Sequence, residues 1–415
     1  MQGRITYHLH KLSQFHHSSK IAGLVSLILW FFISTNWSCS HSGDVSHKPN
    51  NQPRKSEDQI LADSLIRTAW QDSGCIGLAY AVVKHGKTLV SNTKGIQSVG
   101  TYLPVTSESV FRIASLSKGF TGMLSAVLIQ KGYFSLEDPI ARYLPGCSLQ
   151  GMPTDSVIRI RHLLSHSTGL TEHAFSNLID QEVSRETWMA ELCQMSVRDT
   201  TGTRHAYQNA AFSLMEAIIE NVLCMPFKDA LKKFLLTPLG MGHTGASFED
   251  FFSSSAACQG HFLNRYLLQT HPLPVKANYY NAVAAGGIHS TLSDMTIWLK
   301  AVMGHRPEVL SAEVIRLATT PTISTLSEDR HFNQWPGLTY SGYGLGWRRL
   351  NVGRHSLIFH GGYVNGFRSE IAFDPVEDIG FVLLSNSNCS ITDQATFAFF
   401  QKFWKMLEAG EKVRK

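Results

Sequence analysis

The stretch FRIASLSKGFTGM, Phe111 to Met123, places a serine three residues before a lysine at the start of an apolar run. On a helix, residues three positions apart share a face, so Ser115 and Lys118 can come within hydrogen-bond distance. A serine hydroxyl becomes a useful nucleophile when a neighbouring base takes its proton, and a lysine acts as that base when burial or nearby charge lowers its pKa. The stretch therefore predicts a nucleophilic serine at the start of a helix.

The same Ser-x-x-Lys spacing occurs a second time, at Ser91 and Lys94. This copy lies in KTLVSNTKG, which alternates like a strand and ends at Gly95. In a strand, residues three positions apart point to opposite faces of the sheet. We therefore interpret the second copy as a chance match.

Composition and charge are those of a globular protein. The chain has 415 residues, of which 43% are hydrophobic and 17% charged, which fits one large domain or two interleaved ones. The formal net charge of +5 falls to +2 without residues 1–40, because they hold Arg4, Lys11 and Lys20 and no acidic residue. No basic patch indicates a nucleic-acid partner.

Residues 1–40 are predicted to be an export signal. A basic region ends at Lys20 and is followed by the apolar run IAGLVSLILWFFI, residues 21–33. The run is shorter than the roughly 20 apolar residues that a transmembrane helix needs. We expect the mature chain in the periplasm or on a membrane facing it, with residues 41–55 as a polar linker.

Three forms of the mature N-terminus stay open. Ser38-Cys39-Ser40 offers a small-x-small cleavage site, whereas Cys39 followed by a polar stretch fits a lipid-modified cysteine that would attach the chain to a membrane. Asn36 stands where bacterial lipidation signals usually carry leucine. The third form is an uncleaved membrane anchor.

The cysteines show neither paired spacing nor the clustering of a metal site. The chain contains seven of them: Cys39, Cys75, Cys147, Cys193, Cys224, Cys258 and Cys389. We expect most of them to be small apolar fillers. An exported chain can form disulfides, but the spacing assigns no pair.

Strand patterns concentrate at the two ends of the chain. Ser56 begins an amphipathic helix, and two strand patterns then flank His85-Gly86 as a hairpin. Three more strand patterns lie at 356–360, 368–373 and 379–385, before a C-terminal helix rich in Phe and Trp.

Between them, residues from about 133 to 285 carry helical patterns broken by Pro and Gly. We therefore predict an α+β fold for residues 56–410, with one antiparallel sheet built from both chain ends, flanked by helices, and an inserted helical subdomain. The helix after Ser115 would lie at the junction of sheet and subdomain, where clefts form.

Two further motifs follow in order. GTRHAYQN presents Tyr207 and Asn209 on a turn before a helix, and FHGGYVNGFRSEIAFDP places His360 and two glycines on a strand. Tyr-x-Asn also fits Tyr279 to Asn281 and Tyr363 to Asn365. Tyr207 is preferred because it lies between the other two motifs and is the only one of the three that Gly-Thr-Arg precedes.

With these motifs the chain resembles the serine β-lactamase and penicillin-binding-protein superfamily, on its class C and D-stereospecific peptidase or esterase side. The resemblance covers about residues 60–400 and includes RIASLSKGFT, IRHLLSHSTGL and AGGIHST. It implies a β-lactamase/transpeptidase-like fold and an acyl-transfer site. The preceding Gly-Thr-Arg also matches the family at Tyr207.

The resemblance also implies a role for each site residue. Ser115 forms an acyl-enzyme, and Lys118 and Tyr207 share the proton transfers, with the general base left open between them. Asn209 donates its amide to the substrate carbonyl. The oxyanion hole is expected at the backbone N–H groups of Ser115 and Tyr363, with Gly362 allowing close approach of substrate backbone.

His360 departs from many family members, which carry a permanently charged lysine there to attract the substrate carboxylate. A histidine is charged only part of the time, because its reference pKa is about 6.5. His-x-Gly is found in peptidase branches of the superfamily. The departure therefore weakens a β-lactamase assignment more than it weakens acyl transfer.

Two other groups of residues are interpreted as structural. His162 and His166 have the spacing of a helical zinc pair, but the glutamate of a zinc protease is missing and no third ligand is evident in the sequence. The segment from Tyr343 to Trp347 is interpreted as a strand with a packing aromatic. We predict neither a metal nor an organic cofactor.

The sequence thus predicts an exported serine hydrolase acting on a β-lactam, a D-amino-acid peptide or an ester, with a small-molecule or peptidoglycan-peptide substrate. The alternative is a sensor or penicillin-binding protein that is acylated without turnover. The sequence does not define the oligomeric state.

Overall fold

A computed structural model describes residues 56–71, 74–147, 157–264, 269–327, 335–389 and 391–413. The predicted signal segment 1–40, Cys39 and the linker 41–55 lie outside the described residues. The boundaries predicted for the signal segment (1–40), the linker (41–55) and the catalytic domain (56–410) are not tested by the structure.

The main sheet has eight antiparallel strands within the described residues. In spatial order they are β2 (Lys87–Gly95), β1 (Gly77–Lys84), β12 (Ile379–Ser385), β11 (Phe367–Asp374), β10 (His355–Val364), β9 (Arg348–Val352), β8 (Leu338–Tyr343) and β7 (Ile323–Ser324). β1 pairs with β12, so strands from both ends of the described chain lie side by side in the sheet. The predicted antiparallel sheet built from both ends is confirmed.

Strands β7, β8 and β9 were not predicted from the sequence. β7 has two residues, and β8 (LTYSGY) and β9 (RRLNV) mix glycine, hydroxyl and arginine side chains with a few apolar ones. Such short segments lack the apolar alternation by which a strand is recognised. They extend the sheet beyond β10 and, as described below, supply two side chains near Ser115.

Two small sheets lie beside the main one. β3 (Phe111–Arg112) pairs with β6 (His289–Ser290), and β4 (His261–Asn264) pairs with β5 (Gln269–Pro272). The β3–β6 pair ties the segment before Ser115 to the segment that follows Ala285. The β4–β5 hairpin lies in the region where the sequence predicted helices.

The described helices cover both faces of the main sheet. They are α1 (Glu57–Gln71), α2 (Ser117–Gln130), α3 (Ile160–Leu164), α4 (Ser176–Asp180), α5 (Arg185–Cys193), α6 (Asn209–Leu223), α7 (Phe227–Leu231), α8 (Thr237–Leu239), α9 (Phe248–Ser253), α10 (Val283–Gly286), α11 (Leu292–Lys300), α12 (Ala312–Thr319) and α13 (Ile391–Val413). α1 and α13 pack together on one face. α2 lies in the larger core on the other, with most of its residues buried.

Local signals in the sequence agree with the ends of these elements. Ser56 caps α1, because its Oγ accepts from the Gln59 N–H while the Gln59 side chain accepts from the Ser56 N–H. His85 and Gly86 both have positive φ, 49° and 71°, as the two-residue turn of a tight hairpin requires. The predicted first helix and hairpin are therefore confirmed.

Four of the six cysteines in the described residues form disulfides. Cys75 bonds to Cys389, joining the segment before β1 to the segment before α13, and Cys147 bonds to Cys193. Cys224 and Cys258 are free thiols. The expectation that most cysteines are apolar fillers is therefore wrong. The first pair is 314 residues apart in the chain, so spacing could not reveal it.

Among the described residues, no single helix has both the length and the apolar character to cross a membrane. One pair, Asn209–Leu223 with Phe227–Leu239, meets these criteria jointly but is bent by 79°.

Gly122 allows α2 to pack directly against the turn after β8. A Cβ at this position would lie 1.8 Å from the Leu345 carbonyl oxygen. We expect Gly122→Ala to lower the free energy of unfolding by about 1–3 kcal/mol, the usual cost of overpacking. Chemical denaturation measures this change. Gly242→Ala is the control, because nothing lies within 4 Å of its added Cβ. Equal unfolding midpoints for the two variants would contradict this packing argument.

Candidate active site

Ser115 lies in a single 3-10 turn, Ala114–Leu116, immediately before α2. Ala114 has a φ of 51°, a left-handed conformation that costs a residue with a Cβ about 1 kcal/mol or more. The Ser117 hydroxyl holds the turn, since it donates to the Ala114 carbonyl at 2.6 Å and accepts from the Ile288 N–H at 3.0 Å. The predicted nucleophile is thus half-buried on a constrained turn.

Lys118 is completely buried and its Nζ has three neighbours. Nζ lies 2.7 Å from Asn209 Oδ1, 2.7 Å from the Ala285 carbonyl oxygen and 3.3 Å from Ser115 Oγ. These partners come from α6, α10 and the turn before α2. The predicted contact between Ser115 and Lys118 is therefore present, although two further segments complete the surroundings of the lysine.

Burial lowers the pKa of Lys118 well below its usual range, and the Arg348 guanidinium lowers it further. A neutral amine has two N–H groups and one lone pair. A neutral amine that used its N–H groups for the two short contacts to oxygen acceptors would direct its lone pair at Ser115 Oγ. The geometry is that of a base beside its proton donor.

Tyr207 and Asn209 lie on either side of the start of α6, next to Lys118. Lys118 Nζ is 4.7 Å from the centre of the Tyr207 ring. The Asn209 side chain accepts from Lys118 through Oδ1 and donates to the Tyr279 hydroxyl through Nδ2 at 3.1 Å. The predicted donation from Asn209 to a substrate carbonyl stays a prediction.

The two alternative Tyr-x-Asn matches do not present both residues to Lys118. Asn281 donates to the Val183 carbonyl at 2.6 Å, and Asn365 donates to the Pro274 carbonyl at 2.9 Å. Tyr279 does reach Asn209, as a supporting hydroxyl. The second Ser-x-x-Lys lies on β2 at the edge of the main sheet, as the strand pattern predicted.

His360 is buried on β10, and both of its ring nitrogens have partners. Nδ1 donates to the Gly361 carbonyl at 2.8 Å, so Nε2 accepts from the Tyr343 hydroxyl at 2.8 Å. Burial, together with Lys118 and Arg348, lowers the pKa of His360 well below its usual range. The fractional protonation expected from the reference pKa of a histidine is therefore absent at His360. A role for His360 in substrate binding stays a prediction.

Gly362 brings β10 against the Ser115 turn. A Cβ on Gly362 would lie 2.6 Å from the Ile113 carbonyl oxygen and 2.9 Å from the Ser115 nitrogen. The Ser369 hydroxyl on β11 donates to the same Ile113 carbonyl at 2.6 Å. The absent side chain thus makes room for the chain's own backbone, whereas the sequence argument assigned that room to a substrate.

The edge of β10 changes its partners near the same point. β9 pairs with β10 from His355 through Phe359, whereas β11 pairs with β10 through Val364. The Tyr363 side chain is half exposed. An oxyanion hole formed by the backbone N–H groups of Ser115 and Tyr363 stays a prediction.

Sequence reasoning missed several residues around the site. Arg348 on β9 lies with its guanidinium 5.1 Å from the centre of the Tyr343 ring, and Tyr343 binds His360. Tyr343 ends β8, but Gly344 to Trp347 form the turn between β8 and β9, so the strand predicted for Tyr343 to Trp347 is wrong. The Tyr343 hydroxyl bonds to His360, and Trp347 is buried, as a packing aromatic would be. Arg348 directly follows the GLGW turn in the sequence. No local pattern there distinguishes it from a surface arginine, so the sequence offered no usable signal for its place in the site.

The predicted structural role of the two spaced histidines agrees with their contacts. His162 Nδ1 accepts from the Arg159 N–H and His166 Nδ1 accepts from the Gln208 N–H, both at 3.1 Å. Within the described ranges, no three His, Cys, Asp or Glu side chains converge as they would around a metal ion.

A serine beside a buried lysine, under an antiparallel sheet flanked by helices, defines the β-lactamase/transpeptidase-like fold. The chain belongs to the Beta-lactamase family, whose family model matches residues 62–397. The family resemblance noted in the motifs is thereby confirmed.

Relatives and solved structures agree with this membership. The chain is 24% identical over 338 residues to "Protein flp" of Staphylococcus aureus (strain COL), covering 80% of this chain and 64% of that protein. It is 27% identical over 293 residues to "Unguisins hydrolase ungD'" of Aspergillus campestris, covering 68% of this chain and 53% of that one. The chain therefore spans less than two thirds of the length of either relative.

A similar solved structure is that of the octameric penicillin-binding protein homologue from Pyrococcus abyssi, with a TM-score of 0.72 and 23% identity. The match covers 85% of this chain and 78% of that one. At this identity the comparison establishes the fold.

The charge of Arg348 should set the acid limb of the reaction of Ser115 with an activated ester. Removing a nearby positive charge stabilises protonated Lys118, which cannot accept the serine proton. We therefore expect Arg348→Met to move the acid limb of kcat/KM for p-nitrophenyl acetate to higher pH.

Arg348→Lys keeps the charge and should shift this limb less. An unchanged limb in Arg348→Met, or a shift to lower pH, would contradict the assignment. Ser115→Ala supplies the background rate at each pH.

Proposed function

We propose that this chain is an exported serine hydrolase that cleaves a β-lactam, a D-amino-acid peptide or an ester through an acyl-enzyme on Ser115. The observation that carries the proposal is the buried Lys118 amine, with its N–H groups directed at Asn209 and Ala285 and its remaining position at Ser115 Oγ. An amine held in this way is prepared to accept a proton and has no other evident use inside a protein core.

In the proposed reaction, Ser115 Oγ attacks the substrate carbonyl carbon as its proton passes to Lys118 Nζ. The tetrahedral intermediate collapses when the bond to the leaving group breaks, and the leaving group takes up that proton, with Tyr207 beside Lys118 as the relay. Water then attacks the acyl ester with the same base, which releases the acid product and restores the serine hydroxyl. The low pKa of Lys118 supports its assignment as the base.

The substrate proposal depends on charge near β10. Because His360 is neutral and its nitrogens are engaged, β10 offers no permanent cation at the position where many family members bind a carboxylate. This supports an ester or peptide substrate over a β-lactam. The relative from Aspergillus campestris is named a hydrolase, which supports turnover over a silent sensor.

The export part of the proposal rests on the N-terminal pattern and is supported by the two disulfides, since disulfides persist mainly in oxidising compartments. The mass of the mature chain from a bacterial host tests it. Cleavage after Ser40, a lipid-modified Cys39 and a retained Met1 each predict a different mass. A full-length chain found in the cytoplasmic fraction would contradict export.

Intact mass over time tests the reaction itself. We expect p-nitrophenyl acetate to give a transient acetyl adduct, whereas benzylpenicillin gives a slower or weaker adduct. Ser115→Ala should abolish both adducts without unfolding, and Lys118→Ala should be nearly as damaging because the two residues act as one unit.

The outcomes of this experiment separate the alternatives. A penicilloyl adduct that does not decay would favour the alternative function, a sensor or penicillin-binding protein that is acylated without turnover. Adducts that persist in Ser115→Ala would refute the nucleophile assignment.

A further inference from the structure

His166 has an unusual backbone for a buried residue with a side chain. It lies just after α3, is 1% exposed and has a φ of 56°. This left-handed conformation costs a residue other than glycine about 1 kcal/mol or more, and it persists where surrounding contacts over-determine it. Its contacts therefore indicate what the conformation achieves.

Those contacts bind the chain on both sides of Tyr207. The His166 carbonyl accepts from the Ala206 N–H at 2.8 Å, and its ring Nδ1 accepts from the Gln208 N–H at 3.1 Å. Both acceptors belong to one residue, whose left-handed backbone directs them at the same segment. The peptide groups that flank Tyr207 are therefore fixed together.

The imidazole also supports the Tyr207 side chain. The two ring centres are 4.2 Å apart with an angle of 38° between the planes. On the other side of the tyrosine, its carbonyl accepts from the His173 N–H at 2.9 Å. Lys118 Nζ lies 4.7 Å from the Tyr207 ring centre, so a shift of this segment would change the distance between the two groups.

The tautomer of His166 follows from these bonds. Because Nδ1 accepts from a backbone N–H, it carries the lone pair and the proton is on Nε2. Nε2 is buried and has no hydrogen-bond partner among the described residues. Burial, with Lys118, His205 and Arg348 nearby, keeps the ring neutral by lowering its pKa well below the usual range. The ring therefore keeps Nδ1 as an acceptor while the Nε2–H donor stays unsatisfied. An unsatisfied buried donor costs free energy, which an apolar side chain that only packs would avoid.

We propose that His166 is a positioning residue that holds Tyr207 beside Lys118 by binding the N–H groups of Ala206 and Gln208. This proposal rests on the proposed function for its effect on catalysis, but the binding itself is independent of it. His166 contacts the segment that carries Tyr207, the proposed proton relay. It acts on the reacting atoms only through Tyr207. A displacement of about 1 Å in such a group can lower a rate about 100-fold.

Two substitutions separate the contributions of His166. His166→Gly accepts the left-handed backbone without strain but removes the ring acceptor. His166→Asn also tolerates that backbone, and its Oδ1 can accept near the former place of Nδ1. His162→Asn is the matched control, because His162 is a buried histidine of α3 whose Nδ1 accepts from a main-chain N–H remote from Tyr207.

The kinetic test is a double-mutant cycle with Tyr207→Phe on the hydrolysis of p-nitrophenyl acetate. We expect His166→Gly to lower kcat about 100-fold with little change in KM, His166→Asn to recover most of this loss, and His162→Asn to retain kcat. In the His166→Gly background, Tyr207→Phe should cost much less than in the native chain, because both changes remove the same positioned group. Additive losses would overturn the proposal.

Amide hydrogen exchange of the peptide segment containing Ala206 and Gln208 supplies a readout without catalysis. We expect the Gln208 amide to lose protection in His166→Gly, which lacks the ring acceptor, and to keep it in His166→Asn. The Ala206 amide should keep its protection in both variants, because its acceptor is the main-chain carbonyl of residue 166, and neither amide should change in His162→Asn. Unchanged protection of the Gln208 amide in His166→Gly would overturn the proposal.

The two readouts keep this proposal distinct from the proposed function. If the native chain forms no adduct on Ser115 and yet His166→Gly opens the Gln208 amide, the hydrolase proposal fails and the positioning contact stands. If His166→Gly does not fold, hydrogen exchange and kcat are measured on His166→Asn instead. The hydrogen bonds of the Ala206 and Gln208 N–H groups should persist in that variant. Loss of protection at either amide there would refute the proposal.

Discussion

The burial of Lys118 is the constraint on which the rest of the site depends. A charged amine in a protein core carries a desolvation cost of several kcal/mol, which its surroundings reduce by neutralising it and by accepting its N–H groups. Here the acceptors come from Asn209 on α6 and Ala285 on α10. These two segments are therefore held against α2, and the one nitrogen position that they leave is directed at Ser115.

The approach of the sheet to the catalytic turn is a second consequence of close packing. Gly362 lets β10 lie against the backbone at Ile113 and Ser115, and Ser369 on the next strand binds the Ile113 carbonyl. The left-handed Ala114 allows the chain to turn from this contact directly into α2. Strand, turn and helix thus pack into one unit, the kind of fixed geometry that preorganises an acyl-transfer site.

The distribution of charge distinguishes this member of the Beta-lactamase family. His360 is neutral and bound to Tyr343, while Arg348 on the neighbouring strand supplies the positive charge that acts on Lys118, His166 and His360. This positive charge therefore lies on β9, where it adds to the lowering of the Lys118 pKa by burial. Substrate selectivity in this chain should depend on the surroundings of Arg348 and Tyr343 as much as on the three motifs.

Much of this arrangement was predictable from local patterns. The Ser115–Lys118 spacing, the His85–Gly86 hairpin and the antiparallel sheet made from both chain ends follow from short-range periodicity and turn chemistry. The choice of Tyr207 and Asn209 rested instead on the order of the motifs and on the family resemblance. Strands β7 to β9 and the Cys75–Cys389 disulfide did not follow, because the strands are short and mixed in character and the cysteines are 314 residues apart.

Residue types able to perform acyl transfer, and their order along the chain, could be predicted before the fold was known. The tertiary structure decided the state of each residue: that Lys118 is buried, that His360 is neutral, that Arg348 lies near both and that His166 binds on both sides of Tyr207. A pKa and a contact depend on atoms brought together from distant parts of the chain, and local spacing carries no information about those atoms.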